Sequence, residues 1–213
     1  MKLNQQIKTL LPLAAFAGLA LSANAATIIT PTSATASGGG SGSPTNIVDS
    51  SGLSGGGISG DILSETHATA SGGNWFGLNP FAGQTITFVV PTDSTVDQVH
   101  VWPFWLGTGF DWQIDSFDIE VSTNAGGTFT NIGSITLDDI QATGPSGAIA
   151  VQTRTFAEQT GVDQIRFSNI GNLGGAFAGI SEVRFGSEPI PEPTTTALLG
   201  LGGLALILRR RKG

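Results

Sequence analysis

Hydrophobic residues alternate with period two in segment after segment of this chain, and no stretch between residues 26 and 187 sustains a helical period. In Gln84–Val90, Ile86, Phe88 and Val90 fall on one face and Thr85 and Thr87 on the other. Successive side chains of a strand point to opposite faces, so this pattern fits a half-buried strand. Val96–Trp102 places Val99 and Val101 inward, with His100 at an outward position between them. Phe117–Val121 sets Phe117, Ile119 and Val121 against Asp118 and Glu120, which read as a solvated face. Asn124-Ala125-Gly126-Gly127 then reads as a turn, with Phe129–Leu137 as its hairpin partner. Val151–Phe156, Gln164–Ser168 and Ile180–Phe185 complete the series. Short strands between Gly-, Asn- and Pro-rich turns predict an all-β fold, a β-sandwich of jelly-roll type. Ser37–Gly60 is rich in Gly and Ser. Apolar residues at Ile47, Val48, Leu53, Ile58, Ile62 and Leu63 make it a long ordered loop rather than a linker.

The two ends do not belong to that fold. Lys2 and Lys8 precede the apolar run Leu10–Leu21, and Ala23-Asn24-Ala25 supplies a small-residue cleavage site. Residues 1–25 therefore read as a secretory signal peptide cut after Ala25. At the other end Pro191-Glu192-Pro193 precedes an uncharged stretch through Ala197–Leu208 and the basic run Arg209-Arg210-Arg211-Lys212. With the three threonines before it, this stretch reaches roughly 22 Å as a helix. That is short of the ~30 Å hydrocarbon core, so spanning requires local thinning or snorkelling arginines. The basic cluster is expected to stay cytoplasmic, which places the upstream chain outside. The organisation is thus a signal peptide (1–25), a β-sandwich domain (26–187) and a sorting signal (188–213).

Charge narrows the partners. All 16 carboxylates lie between Asp49 and Glu192, where Arg154, Arg166 and Arg184 are the only cations, a net charge of −13. Phosphate binding needs a basic surface, so nucleic acid is excluded as a partner. The chain has no cysteine, hence no disulfide framework and no thiol chemistry in spite of export. Tyrosine is absent too, leaving Phe and Trp as the aromatic surface.

The tail, as an ordered set of parts, resembles the PEP-CTERM sorting signal of Gram-negative bacteria. Pro191, Glu192 and Pro193 match its tripeptide, Thr194–Leu208 its helix, and Arg209, Arg210, Arg211 and Lys212 its basic end. The resemblance implies recognition and cleavage by the membrane transpeptidase exosortase. The chain would pass through an inner-membrane intermediate to the cell envelope or extracellular matrix. A second resemblance rests on Asn46-Ile47-Val48-Asp49, Phe117–Gly127, Val162-Asp163-Gln164-Ile165-Arg166-Phe167 and Ile180-Ser181-Glu182-Val183-Arg184-Phe185. In this order they look like the discoidin or coagulation-factor C-type domain, a galactose-binding-like jelly roll, over Ser33–Phe185. That family binds glycans, lipids or proteins through loops at one end, often with a structural calcium ion, and is not catalytic.

The same resemblance places calcium-associated residues at Asp49, Thr66 and Glu182, with Asp61 and Glu65 as neighbours able to substitute. The chain departs from the pattern in having Ser50 where the family usually has Gly, and in a longer step to Thr66 and Trp75. Without an ion, Asp49 would support a turn and Glu182 would pair with Arg166 or Arg184. The most unusual stretch is Trp102–Trp112, three tryptophans and two phenylalanines in a segment marked by Pro and Gly as a loop. Exposed rings stack on sugar faces while carboxylates accept hydroxyl hydrogen bonds, which nominates Phe104, Trp105, Phe110, Asp111 and Trp112 for glycan contact. The opposing expectation is that these rings cap the core, as Trp75-Phe76 is expected to do. His67 reads as a loop hydrogen-bonder. No catalytic motif is present, and no pair of carboxylates is set across a cleft.

These features predict a non-catalytic exported protein that associates with extracellular polysaccharide. The first alternative is a structural surface or matrix protein without a discrete ligand. A carbohydrate-active hydrolase is the distant third.

Overall fold

The structure, a computed structural model, describes residues 27–58, 61–70, 73–107, 110–141 and 148–188. Both targeting ends lie outside these residues. Nine strands appear in order: β1 Thr27–Ile29, β2 Ser33–Ala36, β3 Gly40–Gly42, β4 Phe76–Leu78, β5 Ile86–Pro103, β6 Ile114–Ser122, β7 Thr130–Thr136, β8 Gln152–Asn172 and β9 Ala178–Ser187. Every pairing between them is antiparallel. The only helical elements among the described residues are two 3₁₀ turns, Pro44–Ile47 and Ile62–Ser64. The all-β expectation holds.

Two long strands build the sandwich. In β5, Ile86–Val89 pair with β2 on one side and with Gln164–Phe167 of β8 on the other. Further along, Gln98–Val101 pair with Gln152–Thr155 of β8 and with Val183–Gly186 of β9. Register shifts between Val89 and Gln98 separate the halves, and Asp93 (φ 61°) and Gly161 (φ 69°) adopt left-handed backbone there. Bulges of this kind bend a strand and increase its twist. β5 and β8 thereby pass from one layer to the other. β6 and β7 extend the first layer, while β9, β4, β3 and β1 extend the second.

The predicted inward positions fill the space between. Ile86, Phe88, Val99, Val101, Ile119, Ile165, Phe167, Val183 and Phe185 are fully buried in one cluster. Phe88 lies 4.8 Å from Phe167 in its own layer and 5.4 Å from Phe185, centroid to centroid. Phe117 stacks on Phe167 at 3.9 Å. Each such ring contributes roughly 2–3 kcal/mol by leaving water.

His100 corrects the sequence reading. It is fully buried, although its alternation does place it opposite Val99 and Val101. The outer face of β5 is covered at this point: Trp102, on the same face as His100, packs with Leu53 and Ile62 from the Gly/Ser-rich segment. The described residues of that segment are tied to their neighbours. Leu53 and His67 bridge each other, His67 bridges Ile149, and Glu65 Oε2 accepts the amides of Gly55 and Gly57 at 2.8 and 3.1 Å. Ile58, counted among its apolar anchors, is instead 90% exposed. Glu120 also differs from expectation: Arg166 grips it at 2.5 Å and lies 3.9 Å over the Phe129 ring.

Candidate functional site

Aromatic residues from four separate segments meet where the ends of β4, β5, β6 and β9 converge. Register brings them together: Gly179 pairs with Gly77, Ile180 with Pro103, and Gly179 also bridges Gln113. Trp75 precedes β4, Phe104 follows β5, Trp112 precedes β6 and Phe177 precedes β9. Trp112 is the hub. Its ring centroid lies 4.6 Å from Phe177, 5.1 Å from Phe110, 6.1 Å from Phe104 and 6.4 Å from Trp75. Trp75 in turn lies 4.5 Å from Phe104.

Exposure grades outward through this group. Phe104 is fully buried, Trp75, Trp112 and Phe177 are half-buried, and Phe110 is 41% exposed beside the exposed Asp111. A Cβ at residue 179 would stand 2.8 Å from the Phe104 ring, and one at 175 would overlap Trp112, so glycine is required at both. Amide hydrogen bonds tie the described parts of these loops to one another. Asn172 Nδ2 donates to the carbonyls of Gly175 and Phe177 at 2.8 and 2.6 Å. The Gly175 amide donates to Asp111 O at 2.8 Å and the Gly179 amide to Trp112 O at 2.5 Å. Gln141 Nε2 donates to Phe104 O at 2.7 Å. The result is a fixed aromatic platform with a buried base, half-buried rings and one open edge.

The structure therefore brings together Phe104, Phe110, Asp111 and Trp112 of the nominated set. Phe104 has no accessible surface and serves as the floor. Trp105 makes no ring contact with this group among the described residues; its carbonyl accepts the Ala70 amide at 2.8 Å. Trp102 is fully buried, its indole N–H donating to Glu65 O at 2.9 Å. Sequence reasoning missed Phe177 and assigned Trp75 to the core. A run of rings is visible in a sequence; a convergence of four loops is not.

The set implied for calcium is arranged differently. Asp49 is exposed, and its Oδ1 accepts the Ser51 amide at 2.8 Å, a local turn. The Thr66 amide donates to Ser54 Oγ at 3.2 Å. Glu182 is fully buried, as is Arg184, whose Nη1 donates to Glu182 Oε1. Burial pushes the Glu182 carboxyl up to about 8, and contact with Arg184 offsets that rise only in part. Among the described residues no three His, Cys, Asp or Glu side chains are grouped to hold a metal. Arg184 already takes Oε1 of that carboxylate, and Asp49 is turned to its own loop, so these residues as placed do not fit the calcium ion that the resemblance implies.

Residues 189–212 match a family described as the PEP-CTERM protein-sorting motif. This is an exported protein. No helix among the described residues is long and apolar enough to cross a membrane, and the tail lies outside them. No curated protein matches the chain. Among solved structures the exported domain is similar to a truncated AlyQ with CBM32 and alginate lyase domains. Identity is 21% over 78% of this chain and 34% of that one, with a TM-score of 0.51. The chain thus spans about a third of that relative's length. It is also similar to the family 32 CBM from C. perfringens NanJ in complex with galactose, at 17% identity over 76% and 100% of the two chains, TM-score 0.49. A third similarity is to the F5/8 type C domain of a Bacteroides fragilis protein, at 11% identity over 78% and 98%, TM-score 0.45. The likeness is one of fold, an antiparallel β-sandwich.

Proposed function

We propose that this protein is a non-catalytic exported module that attaches to neutral extracellular polysaccharide after exosortase has processed its tail. The observation that carries the reading is the platform formed by Trp75, Phe110, Trp112 and Phe177 at one end of the sandwich. Rigid half-exposed rings offer flat apolar area that a sugar's C–H face can cover at small entropic cost, and Asp111 at the rim can accept hydroxyl hydrogen bonds. Contacts of this size are weak singly and gain strength through repetition along a polymer.

Charge selects the polymer. Arg154 pairs with Asp138 at 3.0 Å, Arg166 with Glu120, and Arg184 is buried against Glu182. No described arginine is left to receive a carboxylate or sulfate, and the surrounding field is strongly negative. Uronate-rich or sulfated chains are accordingly disfavoured, and neutral ones favoured.

The test is retention of residues 26–188 in native gels cast with neutral or with anionic polysaccharides. Retardation by a neutral polymer, weakened by Trp112→Ala and Phe110→Ala and not by Trp105→Ala, is the expected result. Equal mobility in every gel would instead favour a structural matrix role, in which the aromatic segment serves packing alone, as Trp102 and Phe104 already do.

A further inference from the structure

The junction between the 46–58 loop and the last strand contains a cation that the chain supplies itself. Glu182 and Arg184 are two apart on β9 and so project from the same face of the strand. Both are fully buried. Arg184 Nη1 donates to Glu182 Oε1 and, at 2.8 Å, to Val183 O, while Nη2 donates to Ser50 Oγ at 2.6 Å. The Ser50 amide lies beside the Glu182 carboxylate as well. One residue of the loop thus touches both members of the pair.

Ser50 is an unusual choice at its position. Its φ is 66°, the left-handed region that glycine enters freely and an L side chain enters only at a cost. The hydroxyl that glycine would lack is the group that receives Nη2. The serine in a glycine conformation and the arginine two residues beyond Glu182 are therefore one arrangement. Calcium would need six to eight oxygens turned inward at 2.3–2.6 Å. Here Asp49 Oδ1 is directed to its own turn at Ser51, and Glu182 Oε1 to Arg184.

We propose that the Arg184 guanidinium takes the place of a divalent cation here, tying the Ser50 loop to β9 so that the domain needs no calcium to hold together. Guanidinium keeps its charge at any pH a protein meets, and its planar fork serves a carboxylate, a carbonyl and a hydroxyl at once. Removing it leaves a buried carboxylate without its counter-charge, the costly way to break such a pair.

Thermal unfolding of the full-length protein decides the matter, run after exhaustive chelation and again in millimolar calcium chloride. The expected result is the same Tm in both, with no bound calcium found by elemental analysis of the dialysed protein. A Tm that falls on chelation and recovers with calcium overturns the proposal. Arg184→Gln is expected to lower Tm by roughly 10 °C and to speed amide exchange across residues 46–58. Unchanged exchange in that loop would also overturn it. If the variant does not fold, the chelation comparison on the unaltered protein still decides.

Discussion

At the scale of single residues, the two histidines make stability depend on pH in a definite direction. His100 is fully buried; Nδ1 meets Thr153 Oγ1 at 2.8 Å, and Nε2 has no partner among the described residues. Burial lowers its pKa to about 4, with Asp97 opposing weakly. His67 is buried against the carbonyls of Ala68 and Ser51, and burial lowers it too. Both are neutral in the fold at pH 7, whereas an unfolded histidine gains its proton near 6.5. As pH falls from 6.5 the unfolded chain takes up protons that the folded chain refuses, so stability declines. His100 alone should remove about 2 kcal/mol by about pH 5. Urea unfolding across that range checks this, and a flat profile would show that His100 is not held neutral. Alternation in the sequence correctly gave the face on which His100 lies. It could not reveal that the face is covered, because Leu53 and Ile62, which pack on Trp102 there, stand 47 and 38 residues from His100 in the chain.

At the scale of elements, the strands that carry the core were readable because each alternates strongly by itself. Their lengths were not. The segments around Gln84–Val90 and Val96–Trp102 are one strand interrupted by bulges, as are those around Val151–Phe156 and Gln164–Ser168. Turn-like residues such as Pro91, Asp93 and Gly161 looked like ends and are bends. β1 to β4 escaped notice because strands of three or four residues are too short to show a period, and β2 and β3 hold only Ser, Thr, Ala and Gly. The platform depends on β9 passing directly beneath Phe104. Gly179→Val should therefore displace that ring and destabilise the domain by about 1–3 kcal/mol. A shift in tryptophan fluorescence should accompany it, since Trp75 and Trp112 both lie against Phe104. Unaltered emission would mean that the rings are not coupled through that glycine.

At the scale of the whole molecule, destination and activity separate cleanly. Destination was legible because the sorting motif is linear: Pro191-Glu192-Pro193, an apolar run and a basic end can be read without folding anything. Intact-mass measurement of the secreted form is expected to find the signal peptide gone and Arg209–Gly213 removed. A mature protein still ending at Gly213 would contradict processing. The candidate site was only half legible. Phe110, Asp111 and Trp112 announce themselves as a loop cluster, but Trp75 and Phe177 join them only through the register of β4 and β9. The central claim is that this convergence is a surface for neutral polysaccharide. Affinity electrophoresis of residues 26–188 against a neutral polymer tests it most directly. Retardation that survives Trp105→Ala and drops at least several-fold with Trp112→Ala is the predicted result, in keeping with about 1 kcal/mol or more per aromatic contact. Retardation unchanged by Trp112→Ala, or stronger in an anionic gel than in a neutral one, would contradict the account.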